Sequence, residues 1–279
     1  MVHSLSAPGE DDATQSPLPP HAPITECTMT PCPSRICALI PAAGLSTRMG
    51  GKPKALTRLY GRSFLEHVAR LFLSAGVARL FVVTGHGVRD VEQEASAVNH
   101  SLAGLAITPV YNSRYTEGML GSIQAGMAAI ERHYPEMDGC FLLPVDMPLV
   151  SPATVRYLHT CWQALENPRA RIIMPCHNGH TGHPPLFGRD FFSGIIHSQS
   201  PEGLRSHLVS LLTDKGAAEN LRARKPFADT PESPILCREV EDACITRDID
   251  TPEMLARAES EHALKQTVSQ EYYSDSIRT

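Results

Sequence analysis

From Arg35 onward, short apolar runs alternate with segments of helical period, and this alternation restricts the chain to one broad architecture. Ile36–Ile40, Leu80–Thr84, Leu105–Tyr111 and Cys140–Pro144 read as strands. Between them, Ser63–Ala75, Val88–Val98 and Ser122–His133 read as helices, with Phe64, Leu65, Val68, Leu71 and Phe72 at helical spacing in the first. Pro152–Leu165 continues the series as a helix, with Ser151 as N-cap and Pro152 at the first helical position. Strands alternating with helices predict an α/β fold, a Rossmann-like, mainly parallel sheet with helices on both faces. In an open sheet of that kind, ligands bind beyond the carboxyl ends of the strands. The loops after the first, second and fourth strands hold Gly44, Gly85-His86 and Asp146, so those residues are expected to share one cleft.

Length and composition set the limits. At 279 residues and 42% apolar content, the chain can bury one substantial core, with a small substrate-side extension. That extension should hold a strand at Arg171–Pro175, a helix at Glu202–Leu212 and short strands at Ile235–Val240 and Cys244–Thr246. Pro252–Lys265 reads as a closing helix capped by Thr251. Residues 1–34, with seven prolines and no apolar periodicity, read as a disordered extension; 35–265 as the folded domain; 266–279 as a flexible tail. A net charge of −5 gives no broad electrostatic footprint for nucleic acid. The cations gather instead at Arg48, Lys52, Lys54 and Arg58. Eight cysteines without a C-x-x-C pair fit reduced thiols better than a disulfide framework. The sequence has no signal-peptide pattern and no apolar run near the roughly 20 residues that cross a bilayer. A cytoplasmic monomer acting on small molecules is expected, with no nucleic-acid or membrane partner.

The first strand runs into Ala42-Ala43-Gly44, and Arg48, Lys52 and Lys54 follow within ten residues of that loop. Small residues let backbone N–H groups approach an anion, and the cations would neutralise a polyphosphate. Two familiar phosphate loops are excluded by spacing. Gly44, Gly50 and Gly51 do not form G-x-G-x-x-G, and Pro53 stands where its helix would run. A Walker A loop needs glycine five residues before its Gly-Lys pair, but Ser46 is there, and Lys52 is followed by Pro53.

The stretch A-A-G-L-S-T-R-M-G at residues 42–50, followed by Lys54, resembles the signature of nucleotidyltransferases that build activated cofactors and sugars. Further motifs follow in that family's order: Asn112, Tyr115, Gly118-Met119 and Ser122; Asp146-Met147-Pro148; His177-Asn178-Gly179 with Gly182-His183-Pro184; and Asp248-Ile249-Asp250-Thr251-Pro252. Together they span about Arg35 to Glu259 and are most similar to the molybdenum cofactor cytidylyltransferases, which have a MobA-like, nucleotide-diphospho-sugar transferase type of fold. The resemblance implies transfer of CMP from CTP to the terminal phosphate of molybdopterin-bound molybdenum, releasing pyrophosphate. Mg²⁺, or Mn²⁺, is implied as cofactor. An apo-molybdoenzyme of the xanthine dehydrogenase or aldehyde oxidoreductase type is implied as a recipient.

Roles follow residue by residue from that resemblance. Ala42, Ala43, Gly44, Leu45 and Ser46 would wrap the nucleotide, with Thr84, Gly85, His86, Gly118 and Ser122. Arg48 and Lys54 would be the phosphate-binding pair and, with Asp146, carry the catalysis. Asp146 and Asp250 would hold the metal, since Mg²⁺ takes oxygen ligands and needs only one or two carboxylates. Asn112, Tyr115, His177, Asn178, Gly182, His183 and Pro184 would face the acceptor.

Plainer readings stand beside these. By position alone, Asp146 reads equally as ligand or turn residue, and Asp248 and Asp250 as a turn before a helix. Asn112 and Gly118 could supply turn geometry, Tyr115 core packing and Ser122 a helix cap. Lys52 reads equally as lying outside the cleft, and Arg58 reads as surface. Cys176 with His177, His180 and His183 raises zinc, but the spacing fits no standard pattern, and neighbours on a strand end point to opposite faces.

A-A-G is the CTP form of the loop in this family and A-G-G the GTP form; a methyl at position 43 narrows the room for a purine. Guanylyl transfer, cytidylyl transfer to a sugar or polyol phosphate, and a non-enzymatic cofactor carrier are the other readings. The paired Asp146 and Asp250 argue against a carrier, which needs no metal carboxylates.

Overall fold

Alternate side chains of the first strand, Ile36–Pro41 (β1), enter two different cores. Ile36, Ala38 and Ile40 join one buried cluster, whereas Cys37 and Leu39 join another. Arg79–Thr84 (β2) repeats the division, with Leu80 and Val82 on one side and Phe81 and Val83 on the other. A strand covered on both faces needs apolar residues at every position, which is why these runs are continuous rather than alternating. The remaining strands of this sheet are Ala106–Tyr111 (β3), Gly139–Leu142 (β4), Ile172–His177 (β5), His180–Thr181 (β6), Leu186–Gly188 (β7) and Ile235–Glu239 (β8), and Arg58–Leu59 pairs with Arg62–Ser63 in a separate two-stranded sheet. The computed structural model describes residues 35–261 except 201 and 231. The extension expected at 1–34 and the tail at 266–279 lie outside the described residues.

One face carries Phe64–Ser74 (α1), Val88–Ser101 (α2) and Pro152–Gln163 (α4); the other carries Met119–His133 (α3), Phe192–Ile196 (α5), Leu204–Ser210 (α6) and Lys215–Arg222 (α7). Residues 252–261 form a last helical stretch, α8. Among the described residues, no helix is long and apolar enough to cross a membrane. Ser63 and Ser151 cap α1 and α4, their side chains accepting from Glu66 N–H at 3.0 Å and Ala153 N–H at 3.2 Å.

The sheet runs β8-β5-β7-β4-β1-β2-β3, with β6 hairpinned onto β5. β3, β2, β1 and β4 are mutually parallel, as are β5 and β8. β7 is antiparallel to both β4 and β5. The expected mainly parallel sheet is present, then, but β7 was not foreseen: three residues are too few to show a period, and Pro184 and Pro185 precede them.

Other differences are local. The strand expected at Cys244–Thr246 is a single 3-10 turn, Ala243–Thr246, because the Asp242 carboxylate takes the Cys244 N–H at 3.0 Å. α3 begins at Met119 rather than Ser122, after Gly118 at φ 111°. α5 and α7 are short helices with no counterpart among the elements expected from the sequence.

From β1 the chain works outward through β2 to β3, then returns to the other side of β1 as β4. Successive connections therefore diverge at the carboxyl ends of β1 and β4, the place where an open sheet leaves a crevice.

Candidate active site

The loop leaving β1 is folded tightly by its own backbone. Ala42 still donates to Val83 O at 2.9 Å, after which Ser46 (φ 52°), Gly50 (φ 73°) and Gly51 (φ 78°) turn the chain through left-handed conformations. The Lys54 N–H donates to Ser46 Oγ at 3.1 Å, so the loop closes on itself and brings the lysine back over the strand end. His86 fastens the loop from β2: its N–H donates to Ala43 O at 3.1 Å, and its Nε2 lies 2.8 Å from Gly51 O. Gly85 is required by close approach, since a Cβ there would lie 2.5 Å from Tyr115 Cβ and 2.8 Å from Ala43 Cβ. The Ala43 methyl accordingly packs on Gly85 and is 3% exposed.

Asp146 leaves β4 beside this loop, held by the Val145 N–H on Pro41 O at 3.2 Å. The Ile249 N–H donates to Asp146 O at 2.8 Å and so draws in the segment that carries Asp250. The two carboxylates meet on a single atom. Lys54 Nζ donates to Asp146 Oδ2 at 2.6 Å and also to Asp250 Oδ1. Arg48 reaches the other oxygen of Asp250 at 2.5 Å.

Charge inside this cluster is finely opposed. Burial alone would lower the Lys54 pKa, but hydrogen bonds to Asp146 and Asp250 outweigh it and leave it raised. For Asp146, burial wins over Lys54, and its carboxyl is pushed above the usual range. Asp250 is pushed up by burial, yet Lys54 and Arg48 together bring it below the usual value. Two carboxylates converging on one cation also suit a hard divalent ion that completes its shell with water and phosphate oxygens. Among the described residues, no three His, Cys, Asp or Glu side chains converge, so an ion here would rest on this carboxylate pair with water and phosphate oxygens.

The cleft above the cluster is lined by Ala42, Ala43, Gly44 and Ser46 on one wall, and by Tyr115, Gly118 and Ser122 on the other. It opens past Asp146 into a trough of about 1350 Å³ that reaches Gly182 and His183. Met119, 55% exposed on both cavities, offers apolar surface there. The sequence reading quoted Met119 only as part of a motif and gave it no role.

Other expected site residues support the walls. Thr84 is fully buried beneath the loop, its hydroxyl without a partner among the described residues. Asn112, 6% exposed, donates its amide to Ser122 Oγ at 3.1 Å and accepts the Arg114 N–H at 3.0 Å. Ser122 thus serves that network rather than capping α3. Leu45 is exposed beside the loop. Lys52 is exposed and outside the lining, and Arg58 faces Glu94 at 3.8 Å.

His177 and Asn178 are occupied elsewhere. His177 Nδ1 lies 2.8 Å from Val240 O, and Asn178 Nδ2 lies 2.9 Å from His177 Nε2. Asn178 (φ 47°) and Gly179 (φ 76°) are the two central residues of the β5–β6 hairpin, the Asn-Gly pair that a tight turn prefers. Gly182 passes so close to Ile245 O that a side chain would clash, and His183 N–H donates to the same oxygen at 2.7 Å. Pro184, buried, follows His183 through a cis peptide bond. Burial, with Arg205 and Arg224 nearby, pushes the His183 pKa down to about 4, so the imidazole is neutral at physiological pH.

A glycine-tight phosphate loop, a paired carboxylate and a switch-point cleft are what nucleotidyl transfer needs, and comparisons with known proteins agree. The chain is 28% identical over 220 residues to the molybdenum cofactor cytidylyltransferase of Escherichia coli, covering 79% of this chain and 93% of that protein. A nucleotidyl transferase from Methanothermobacter thermautotrophicus superposes with a TM-score of 0.59 at 21% identity, over 83% of this chain and 98% of its own. Rv0371c from Mycobacterium tuberculosis, solved with manganese, gives 0.55 at 22%, over 81% and 98%. At those identities the two structures speak for the fold. The MobA-like NTP transferase domain matches residues 38–215, most of the folded chain, and the protein belongs to that family of nucleotidyltransferase enzymes.

Proposed function

We propose that this enzyme transfers CMP from CTP to the terminal phosphate of molybdopterin-bound molybdenum, with Mg²⁺ (or Mn²⁺) as cofactor, forming the cytosine dinucleotide and pyrophosphate. The observation that carries this reading is the convergence of Asp146 and Asp250 on Lys54 at the mouth of the phosphate loop. An oxygen of the acceptor phosphate bonds to the α-phosphorus while the bond to the bridging oxygen breaks, its electron pair leaving on pyrophosphate. The acceptor is already ionised near neutral pH, so no general base is needed. When bound between Asp146 and Asp250, the divalent ion supplies charge neutralisation for the phosphates.

The chain's own groups do the rest. Arg48 and Lys54 exchange their carboxylate partners for phosphate oxygens and stabilise the charge that develops on them. Gly44 and its neighbours let backbone N–H groups approach the triphosphate, and Tyr115, Gly118 and Ser122 form the facing wall. The trough toward Gly182 and His183 holds the acceptor, a placement that its size favours over a compact sugar phosphate. Similarity to the Escherichia coli cytidylyltransferase along nearly all of its length, at 28% identity, supports the choice of substrates. The family's CTP form of the loop, Ala42-Ala43-Gly44, supports cytosine. The product would pass to an apo-molybdoenzyme of the xanthine dehydrogenase or aldehyde oxidoreductase type in the cytoplasm, from a monomer whose catalytic domain spans 35–265.

The test is transfer itself. Purified protein, molybdenum-loaded molybdopterin and Mg²⁺ are incubated with CTP or GTP, following pyrophosphate and dinucleotide. Product with CTP, abolished in Asp146→Ala, is expected. Product with GTP alone would overturn the base assignment, and turnover only with a sugar or polyol phosphate would overturn the acceptor.

A further inference from the structure

The far end of the trough is built by two arginines that no sequence motif marked. Arg205 projects from α6 and Arg224 follows α7; both line the trough together with His183. Among the described residues, neither makes an ion pair within 4.0 Å, although Glu202, Glu117 and Asp248 line the same trough. Burial and the neighbouring Arg224 both weaken the hold of Arg205 on its proton, as expected of two cations that share a site without a counter-charge.

The backbone at Arg224 gives a second, independent sign. The Lys225 N–H returns to Asn220 O at 2.8 Å and the Arg224 N–H to Leu221 O at 3.1 Å, the paired bonds of a Schellman helix end. Arg224 occupies its left-handed position at φ 58°, where glycine is strongly preferred and a side chain is strained. The Thr181 N–H, donated to Arg224 O at 2.7 Å, pins the residue against β6. Arg224 is exposed, lines the trough and makes no ion pair among the described residues, and a ligand for its guanidinium would account for an arginine kept in a glycine position.

We infer that Arg205 and Arg224 form an anion subsite for a second anionic group of the acceptor, an oxoanion at the end remote from the attacking phosphate. This rests on the transfer reading for the identity of the acceptor, but the subsite itself stands on the geometry of the trough. Guanidinium forks suit such a group better than an ammonium would, because each offers paired donors to neighbouring oxygens. The neutral His183, which lines the trough with them, adds a hydrogen-bonding imidazole without adding charge.

Full-length wild type, Arg205→Gln and Arg224→Gly are titrated calorimetrically with sodium molybdate as a free tetrahedral oxoanion, and with CTP and Mg²⁺. The same proteins are assayed for acceptor KM. Both variants should bind molybdate roughly tenfold or more weakly, the loss expected for one charged hydrogen bond. The acceptor KM should rise by a similar factor while CTP affinity stays constant. Arg224→Gly should melt no lower than wild type, because glycine relieves the left-handed strain; a merely structural Arg224 would give the opposite sign. No molybdate binding to wild type, equal affinity in all three, or a loss confined to CTP would overturn the subsite. Weaker molybdate binding with an unchanged acceptor KM would overturn its assignment to the acceptor. If no acceptor turns over in any protein but molybdate affinity falls in both variants, the transfer reading fails and the subsite stands.

Discussion

Asp250 holds two cations that differ in everything but charge. Lys54 is 17% exposed and bridges both carboxylates, whereas Arg48 is 67% exposed and touches one. Replacing Lys54 by Met leaves Asp146 and Asp250 facing each other in a part-buried site, and should destabilise the fold by about 3 kcal/mol. Millimolar Mg²⁺ should then recover more of the melting temperature in Lys54→Met than in wild type, as ligand linkage requires; equal shifts would argue against the carboxylate pair as the metal site. Arg48→Ala should cost under about 1 kcal/mol of stability, because an exposed ion pair is worth little. Its kcat should nonetheless fall about a hundredfold if the guanidinium meets the reacting phosphates. Gly85→Ala tests the floor of the cleft: its methyl would meet Tyr115 Cβ at 2.5 Å, and a loss of about 1–3 kcal/mol in urea denaturation is expected.

Asp242 joins elements that are distant in sequence. Its carboxylate accepts from the Ser151 N–H at 2.8 Å and the Thr154 hydroxyl at 2.8 Å at the start of α4, as well as from the Cys244 N–H. An anion at a helix N-terminus is favourable, and these bonds are charge-assisted. Asp242→Ala should therefore destabilise by about 2–3 kcal/mol, well beyond the roughly 1 kcal/mol of Ser151→Ala, in parallel thermal melts. Elements with a long period were legible from the sequence. α1 and α4 lie within two residues of their expected ends because their serine caps and apolar spacing agree. β7 and β6 were illegible because two or three residues carry no period, and their pairing is decided by the sheet they join. The same limit explains the site. Ser46, Lys54 and Asp146 follow strands that the sequence shows plainly, whereas Arg224 follows a short helix that it does not, and Arg205 lies on the helix expected at Glu202–Leu212 but in no motif. The Asn178-Gly179 turn was present as a hairpin signal, but β6 was too short to suggest the second strand.

At the scale of the whole molecule, the half-buried, neutral His183 makes stability depend on acidity. An unfolded histidine takes its proton near 6.5, but this one only at about 4, so between those values the unfolded chain binds more protons. Stability should fall as pH drops through that window, by on the order of 3 kcal/mol in full. His183→Gln should flatten the slope in denaturant titrations across the same range; an unchanged slope would assign it to other groups. The closure of the site has a different consequence, for order in time. Lys54 and Asp146 are separated by 92 residues, but Lys54 and Asp250 by 196. A nascent chain can complete the four parallel strands β1 to β4 long before Asp250 leaves the ribosome. The second carboxylate then arrives with the Ile249–Asp146 backbone bond, among the last long-range contacts to form. On the proposed mechanism, chemistry waits until Asp250 has been made, and a chain terminated before it would carry only half of the carboxylate pair.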